Sequence, residues 1–190
     1  MERILVDSSD KNDLIRDDLA IYLNNLLAVH KFAGQDYAPN GLQVEGKSKI
    51  KKIITGVSAC QKLLDIAVEK DADAIIVHHG YFWTGEEPSI IGIKKRRLQT
   101  LLKNDINLFA YHLPLDAHAK LGNNVQLAKV LDIDIDKGIG VDASIDDDND
   151  FNLSDLLFTG RLSKPMFAED FALHIEQKLQ RAPLHVSGDA

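Results

Sequence analysis

The chain has one cysteine, Cys60, five prolines and one tryptophan in 190 residues. A single cysteine excludes an internal disulfide and a zinc site built on cysteines. It is also the usage expected in a reducing compartment. Basic residues are short: 22 Lys and Arg stand against 29 Asp and Glu, a formal net charge of −7. A protein held to nucleic acid through backbone phosphates needs a basic face, so direct nucleic-acid binding is not expected. No stretch approaches the ~20 uncharged apolar residues that a membrane span requires. The opening segment, Met1-Glu2-Arg3-Ile4-Leu5, lacks the layout of a secretory signal. The expectation is a cytoplasmic protein. What is present is ordinary for a globular chain. Apolar residues at 45% are too many for disorder, and the length fits one domain, or one with part of a second.

Apolar residues recur at helical spacing from Asn12 to Val29, with Asn12 or Asp13 as the cap. Turn chemistry at Pro39-Asn40-Gly41 follows, then a short apolar segment, Leu42-Gln43-Val44. The middle of the chain alternates. Lys52–Val57 predicts a strand, and Ser58-Ala59-Cys60-Gln61 has the spacing of a capping box before a helix to about Lys70. Ala74–Val77 is apolar on both faces, as in a buried strand. A helix from about Ile91 to Lys103 and a strand from Ile106 to Tyr111 complete the series. Strand, helix, strand, helix, strand predicts an α/β fold with right-handed crossovers and a parallel sheet.

Gly122–Leu131 reads as another helix. The segment from Asp132 to Asp150 holds eight aspartates opposed only by Lys137, and such dense like charge predicts an exposed connection. As an EF-hand loop, Asp146-Asp147-Asp148-Asn149-Asp150 lacks the central glycine and closing glutamate. Beyond it the pattern predicts a strand at Leu156–Thr159 and a helix from Pro165 to Leu179, capped by Ser163. A further strand begins at Leu184-His185-Val186. The expected organisation is a first α/β domain over residues 1–137. Residues 138–190 are expected to form an acidic connection and the start of an incomplete second, similar α/β unit.

Parallel strands open their carboxyl ends onto one edge of the sheet, where ligands bind in such folds. The second strand runs into His78-His79-Gly80-Tyr81-Phe82-Trp83, and the third into His112-Leu113-Pro114-Leu115-Asp116-Ala117-His118. His79 and Asp116 are 37 residues apart, about one crossover, so the two clusters should be neighbours. Imidazole nitrogens with a carboxylate form a ligand set for zinc, iron, manganese and related divalent ions. Adjacent histidines in an extended chain point opposite ways. Both reach metal only if the chain turns, with Gly80 permitting it, or if two ions share the site. Pro114 would fix the second loop and hold Asp116. The blander readings are hydrogen-bonding histidines at strand ends and aromatic packing at Tyr81, Phe82 and Trp83. The run Lys94-Lys95-Arg96-Arg97 reads as a solvated helix face, and Cys60 as core. At the strand-to-helix turn Gly56-Val57-Ser58, backbone N–H groups could receive an anion, but a glycine-rich pattern is lacking.

Three motifs in order carry a resemblance. They are Asp36-Tyr37-Ala38-Pro39-Asn40-Gly41-Leu42-Gln43-Val44-Glu45-Gly46, Val77-His78-His79-Gly80-Tyr81-Phe82-Trp83, and Tyr111–His118 followed by Leu121-Gly122-Asn123-Asn124. Across roughly Ala20 to Leu131 the chain resembles the Nif-three-like family of dinuclear-metal proteins, also catalogued as GTP cyclohydrolase I type 2 homologues. The resemblance implies that His78 and His79 are metal ligands and that Asp116 is a ligand able to bridge two divalent ions. It also implies two similar α/β domains and assembly into a homohexameric ring. The family completes its site with a histidine and a glutamate from a C-terminal His-x-x-x-Glu element. Nothing between Leu131 and Ala190 matches that element, because His174-Ile175-Glu176 has the wrong spacing. Either the chain is a fragment, the favoured expectation, or it binds metal with a reduced set of ligands.

Two functional classes follow. In the first, two divalent ions lower the pKa of water toward ~7 for hydrolysis of a nucleotide-like substrate. In the second, the metal stabilises a non-catalytic scaffold or regulator that binds a protein partner.

Overall fold

Leu14–Ile15 (β1) leads directly into α1 (Arg16–Leu26), whose first turn carries Asp17 and Asp18 at the positive end of the helix dipole. A 3-10 turn at Val29–Phe32 follows, then β2 (Gly41–Val44), β3 (Lys49–Ile50) and β4 (Ile53–Ser58). Next come α2 (Gln61–Glu69), β5 (Ala74–His79), α3 (Gly92–Lys103), β6 (Asn107–Ala110) and the short α4 (Leu113–Ala117). After them lie α5 (Asn123–Val130), β7 (Ile133–Ile135), β8 (Gly160–Leu162) and α6 (Ala168–Leu179). This computed structural model describes residues 14–136 and 156–188. The expected caps Asn12 and Asp13, and the acidic run from residue 137 onward, lie outside those residues. The chain divides into two units, Met1–Leu115 and Asp116–Ala190.

The first unit is built on a four-stranded sheet of order β2-β6-β5-β4. β4, β5 and β6 are parallel, as the alternation of strands and helices predicts. The apolar segment at Leu42 adds an antiparallel edge, β2, beside β6. Side chains alternate across a strand, so with both faces covered Ala74–Val77 of β5 and Leu108–Ala110 of β6 are apolar on both sides. Ile75, Val77, Leu108 and Ala110 pack on one face with Leu64 and Ala67 of α2 and Leu98 and Leu101 of α3. Ala74, Phe109 and Tyr111 face the other way, toward Leu19 and Leu27 of the first helical segment. The sheet is thus covered on both faces, which leaves the strand ends as the place for chemistry.

At the amino-terminal edge two buried polar residues tie the loops down. Asp73 accepts hydrogen bonds from Lys47 Nζ at 2.8 Å and from the N–H groups of Lys51 and Lys52 at 2.9 and 3.1 Å. Burial alone would raise the Asp73 carboxyl, but these donors outweigh it and hold it below its ordinary value. The sign follows from linkage. A carboxyl depressed in the folded state contributes stability that is complete above its unfolded value, about 3.9, and is lost as pH falls through the folded value. Asp73→Asn should therefore be less stable than wild type at neutral pH, with the gap closing in acid. Urea melts at neutral pH and at pH about 2.5 check this, and an equal gap at both would contradict it.

In the second unit β7 and β8 pair antiparallel. The Asp132 carboxylate receives Lys178 Nζ at 2.7 Å from α6, and His174 Nε2 lies 3.2 Å from the Leu131 carbonyl oxygen.

Several local expectations are corrected. The strand expected at Leu156–Thr159 forms instead at Gly160–Leu162, where Arg161 Nε can donate to Asp136 at 3.1 Å. α6 starts at Ala168 behind Phe167, with no side-chain cap from Ser163. Leu184-His185-Val186 is not a strand, and Leu184 is 93% exposed. Cys60 is exposed rather than core, because α2 begins only at Gln61 and leaves Cys60 at the cap, off the apolar stripe. The capping box does not form either: no side chain caps α2, and the Ser58 hydroxyl is turned to His79. Among the described residues no helix is long and apolar enough to cross a membrane.

Candidate metal centre

β5 extends through His78 and His79 to the carboxyl edge, and β6 delivers His112 two residues beyond Ala110. The edge of a parallel sheet therefore brings three imidazoles together. Ring centroids are 4.4 Å apart for His78 and His79, 5.0 Å for His78 and His112, and 5.7 Å for His79 and His112. One ring nitrogen from each lies within 4.8 Å of the others, and all three residues are half-buried. Metal–imidazole bonds are about 2.0–2.1 Å, so nitrogens on opposite sides of one ion stand about 4 Å apart. The spacing and the chemistry of the donors both fit divalent ions.

What the Nδ1 atoms touch decides which nitrogen carries a lone pair. His78 Nδ1 is 3.0 Å from the Tyr111 carbonyl oxygen, which only accepts, so Nδ1 carries the proton. His112 Nδ1 is 2.7 Å from Asp36 Oδ1 and donates to that carboxylate. His79 Nδ1 is 3.1 Å from Ser58 Oγ, a hydroxyl that can accept the same proton. Nδ1–H against an oxygen, with the lone pair at Nε2, is the arrangement of metal-ligating histidines.

The turn after the histidines differs from expectation. Gly80 is required by close approach: a Cβ there would lie 2.1 Å from Gln43 Oε1 and 2.5 Å from Ala110 Cβ. The left-handed residue is Phe82, at φ 66°, a strained conformation for an aromatic residue. It is followed by Trp83, whose indole meets His112 edge-on at 5.0 Å. Tyr81 anchors the loop by donating its hydroxyl to the Ala59 carbonyl oxygen at 2.6 Å. Burial pushes that hydroxyl up to about 12, so it remains protonated. Lys94 reaches over the Phe82 ring and Arg97 over the Tyr81 ring, so the basic run of α3 is only partly a solvated face.

Of the residues singled out from the sequence, His78 and His79 come together as described. Asp116 belongs to the second unit, on α4, where its carboxylate accepts Asn123 Nδ2 at 2.8 Å. His112 opens the second of the two clusters that the sequence places at this edge, but only Asp116 of that cluster is assigned as a ligand there, and Asp36 and Ser58 are given no part in the site. His112 and Asp36 lie within the motifs that carry the resemblance, and that was the available signal for them. Ser58 had none.

The family model described as Duf34/NIF3 (NGG1p interacting factor 3) matches residues 15–190. The chain belongs to the Duf34/NIF3 family. A relative from Pseudomonas aeruginosa, named GTP cyclohydrolase 1 type 2 homolog, is 52% identical over 152 residues, covering 80% of this chain and 57% of its own. A relative of the same name from Haemophilus influenzae is 51% identical over 171 residues, covering 88% and 62%. The solved structure of protein ybgI superimposes with a TM-score of 0.78 at 48% identity, covering 90% of this chain and 63% of that one. This member of the Duf34/NIF3 family thus spans somewhat more than half the length of these relatives, and its α/β architecture matches that of protein ybgI.

Proposed function

We propose that this Duf34/NIF3 chain is a dinuclear divalent-metal protein that hydrolyses a nucleotide-like substrate, working in the cytoplasm as a homo-oligomer. The observation that carries this reading is the convergence of three imidazoles whose Nδ1 atoms are each engaged by an oxygen. In this reading His78 and His79 are ligands on neighbouring ions, with His112 as a third imidazole donor. Asp116 is the carboxylate ligand, on the strength of its place in the Tyr111–His118 motif. When bound, zinc, iron or manganese ions supply Lewis acidity and lower the pKa of water. The chain's own part is to hold the imidazoles in one tautomer and to wall them with Trp83, which excludes solvent from one side of His112.

The name carried by the relatives makes GTP the first substrate to try. The chain loaded with Zn²⁺, Mn²⁺ or Fe²⁺ should convert GTP or a related nucleotide, with products followed by chromatography. His79→Ala and Asp116→Ala should each lower turnover by at least about 100-fold, corresponding to about 2.7 kcal/mol or more of lost stabilisation. Undiminished turnover in both variants overturns the scheme. Metal-dependent assembly without hydrolysis across a nucleotide panel would assign the chain to the scaffold class. Light scattering after gel filtration tests the oligomer, for which the family resemblance supports a hexameric ring.

A further inference from the structure

The Asp36–Gly46 motif supplies no ligand in the scheme above, yet its side chains reach both histidine-bearing loops. The Asp36 side chain is only 2% exposed. Its carboxylate takes His112 Nδ1 at 2.7 Å, Asn40 Nδ2 at 2.8 Å, and the N–H groups of Leu113 and Ala38 at 3.0 and 3.2 Å. Asn40 Oδ1 accepts the His112 N–H at 2.6 Å. Three residues further on, Gln43 Oε1 accepts the Tyr81 N–H at 2.7 Å, while its amide nitrogen is spent on the Pro39 carbonyl oxygen at 2.8 Å. Gly41, between them, sits at φ 113° with its α-carbon face against Asn24, where a side chain would be strained.

We infer that Asp36 is a positioning residue for metal uptake: its carboxylate holds His112 with the proton on Nδ1, so that Nε2 is presented to a divalent cation. A buried carboxylate with four donors is itself immobile, and hydrogen bonds to ionised acceptors are the strong ones. The Asn40 contact fixes the backbone that carries the imidazole, so neither ring orientation nor tautomer is left to the metal to impose. Orienting partners of this kind are worth about 10–100-fold in metal affinity. The inference rests on the reading of the cluster as a metal site.

The test is a double-mutant cycle on Co²⁺ affinity, measured by competition with a chromophoric chelator on the 190-residue chain. Asp36→Asn should weaken Co²⁺ binding by about 10–100-fold. In a His112→Ala background the same substitution should change it by less than about twofold, because the effect passes through His112. An equal loss in both backgrounds, or no loss in folded Asp36→Asn, overturns the inference. A measurement that needs no variant stands beside it. Nitrogen NMR of the metal-free wild type at pH about 9, above the ordinary histidine range, should find the His112 proton on Nδ1, and a proton on Nε2 overturns the inference. Wild type that takes up no Co²⁺ overturns the metal reading and this inference together, whereas Co²⁺ uptake untouched by Asp36→Asn removes only the latter.

Discussion

Asn107→Leu should cost the fold about 3 kcal/mol, the loss expected when a buried amide leaves two polar partners unsatisfied. Asn107 is fully buried at the start of β6. Its Oδ1 accepts the Gly46 N–H at 2.8 Å, and its Nδ2 donates to the carbonyl oxygens of Lys47 and Asp73 at 2.8 and 3.0 Å. Leucine is close in size, so it leaves little cavity and removes only the hydrogen bonds. The Asp73 carbonyl keeps the Asn107 backbone N–H at 3.0 Å. The Gly46 N–H and the Lys47 carbonyl lose the Asn107 amide, each worth about 1–3 kcal/mol when buried and unmet. Gly46 lies so close to the backbone of Asp105 and Ile106 that even a Cβ on it would collide with them, which leaves it little room to move aside on that side. Chemical denaturation should find the midpoint lowered with the slope unchanged. A loss under about 0.5 kcal/mol would mean that these loops are held by something else.

Gly80→Ala should act on stability and on the candidate centre at once. The new methyl would overlap Gln43 Oε1 on one side and Ala110 Cβ on the other. Gln43 is the tip of a flexible side chain and can retreat, but only by releasing the Tyr81 N–H that it holds at 2.7 Å. Ala110 is in β6, 2% exposed, and has nowhere to go. Overpacking of this kind costs about 1–3 kcal/mol. The chain at residue 80 must then move out from the sheet and carry His79 with it. Co²⁺ affinity should fall by about tenfold or more, as for a ligand whose supporting contacts are lost. Chelator competition and thermal melts on the same preparation separate the two effects. Wild-type affinity in a destabilised Gly80→Ala protein would show that the histidine loop is not set by this contact.

The elements differ in how far the sequence discloses them. The strands at Ile53, Ala74 and Asn107 are readable because short β-branched and apolar runs alternate with helical stripes. β2 is not readable as an antiparallel edge: three apolar or neutral residues after a turn say nothing about which strand they join. Ser58 satisfies a capping-box spacing, yet in the fold its hydroxyl lies 3.1 Å from His79, because β4 and β5 put Ser58 and His79 side by side. Cys60 fails as a core residue for a smaller reason: the capping-box spacing would start the helix just after Ser58, whereas α2 begins at Gln61 and leaves Cys60 at the cap, off the buried face. His112 stood in a motif beside the aspartate that drew attention, and only the three-way spacing of the rings brings it into the cluster.

From the sequence alone came the α/β alternation, the arrival of both histidine-bearing segments at the strand ends, and the family to which the motifs point. Those features depend on local pattern: period two, period 3.6, and residue types in a fixed order. Only the tertiary structure decided which oxygens hold the imidazoles, because Asp36 and His112 are 76 residues apart and Ser58 and His79 are 21 apart. A hydrogen bond between distant residues is chosen by register, crossover and burial, and none of these is written in the spacing of the residues that make it.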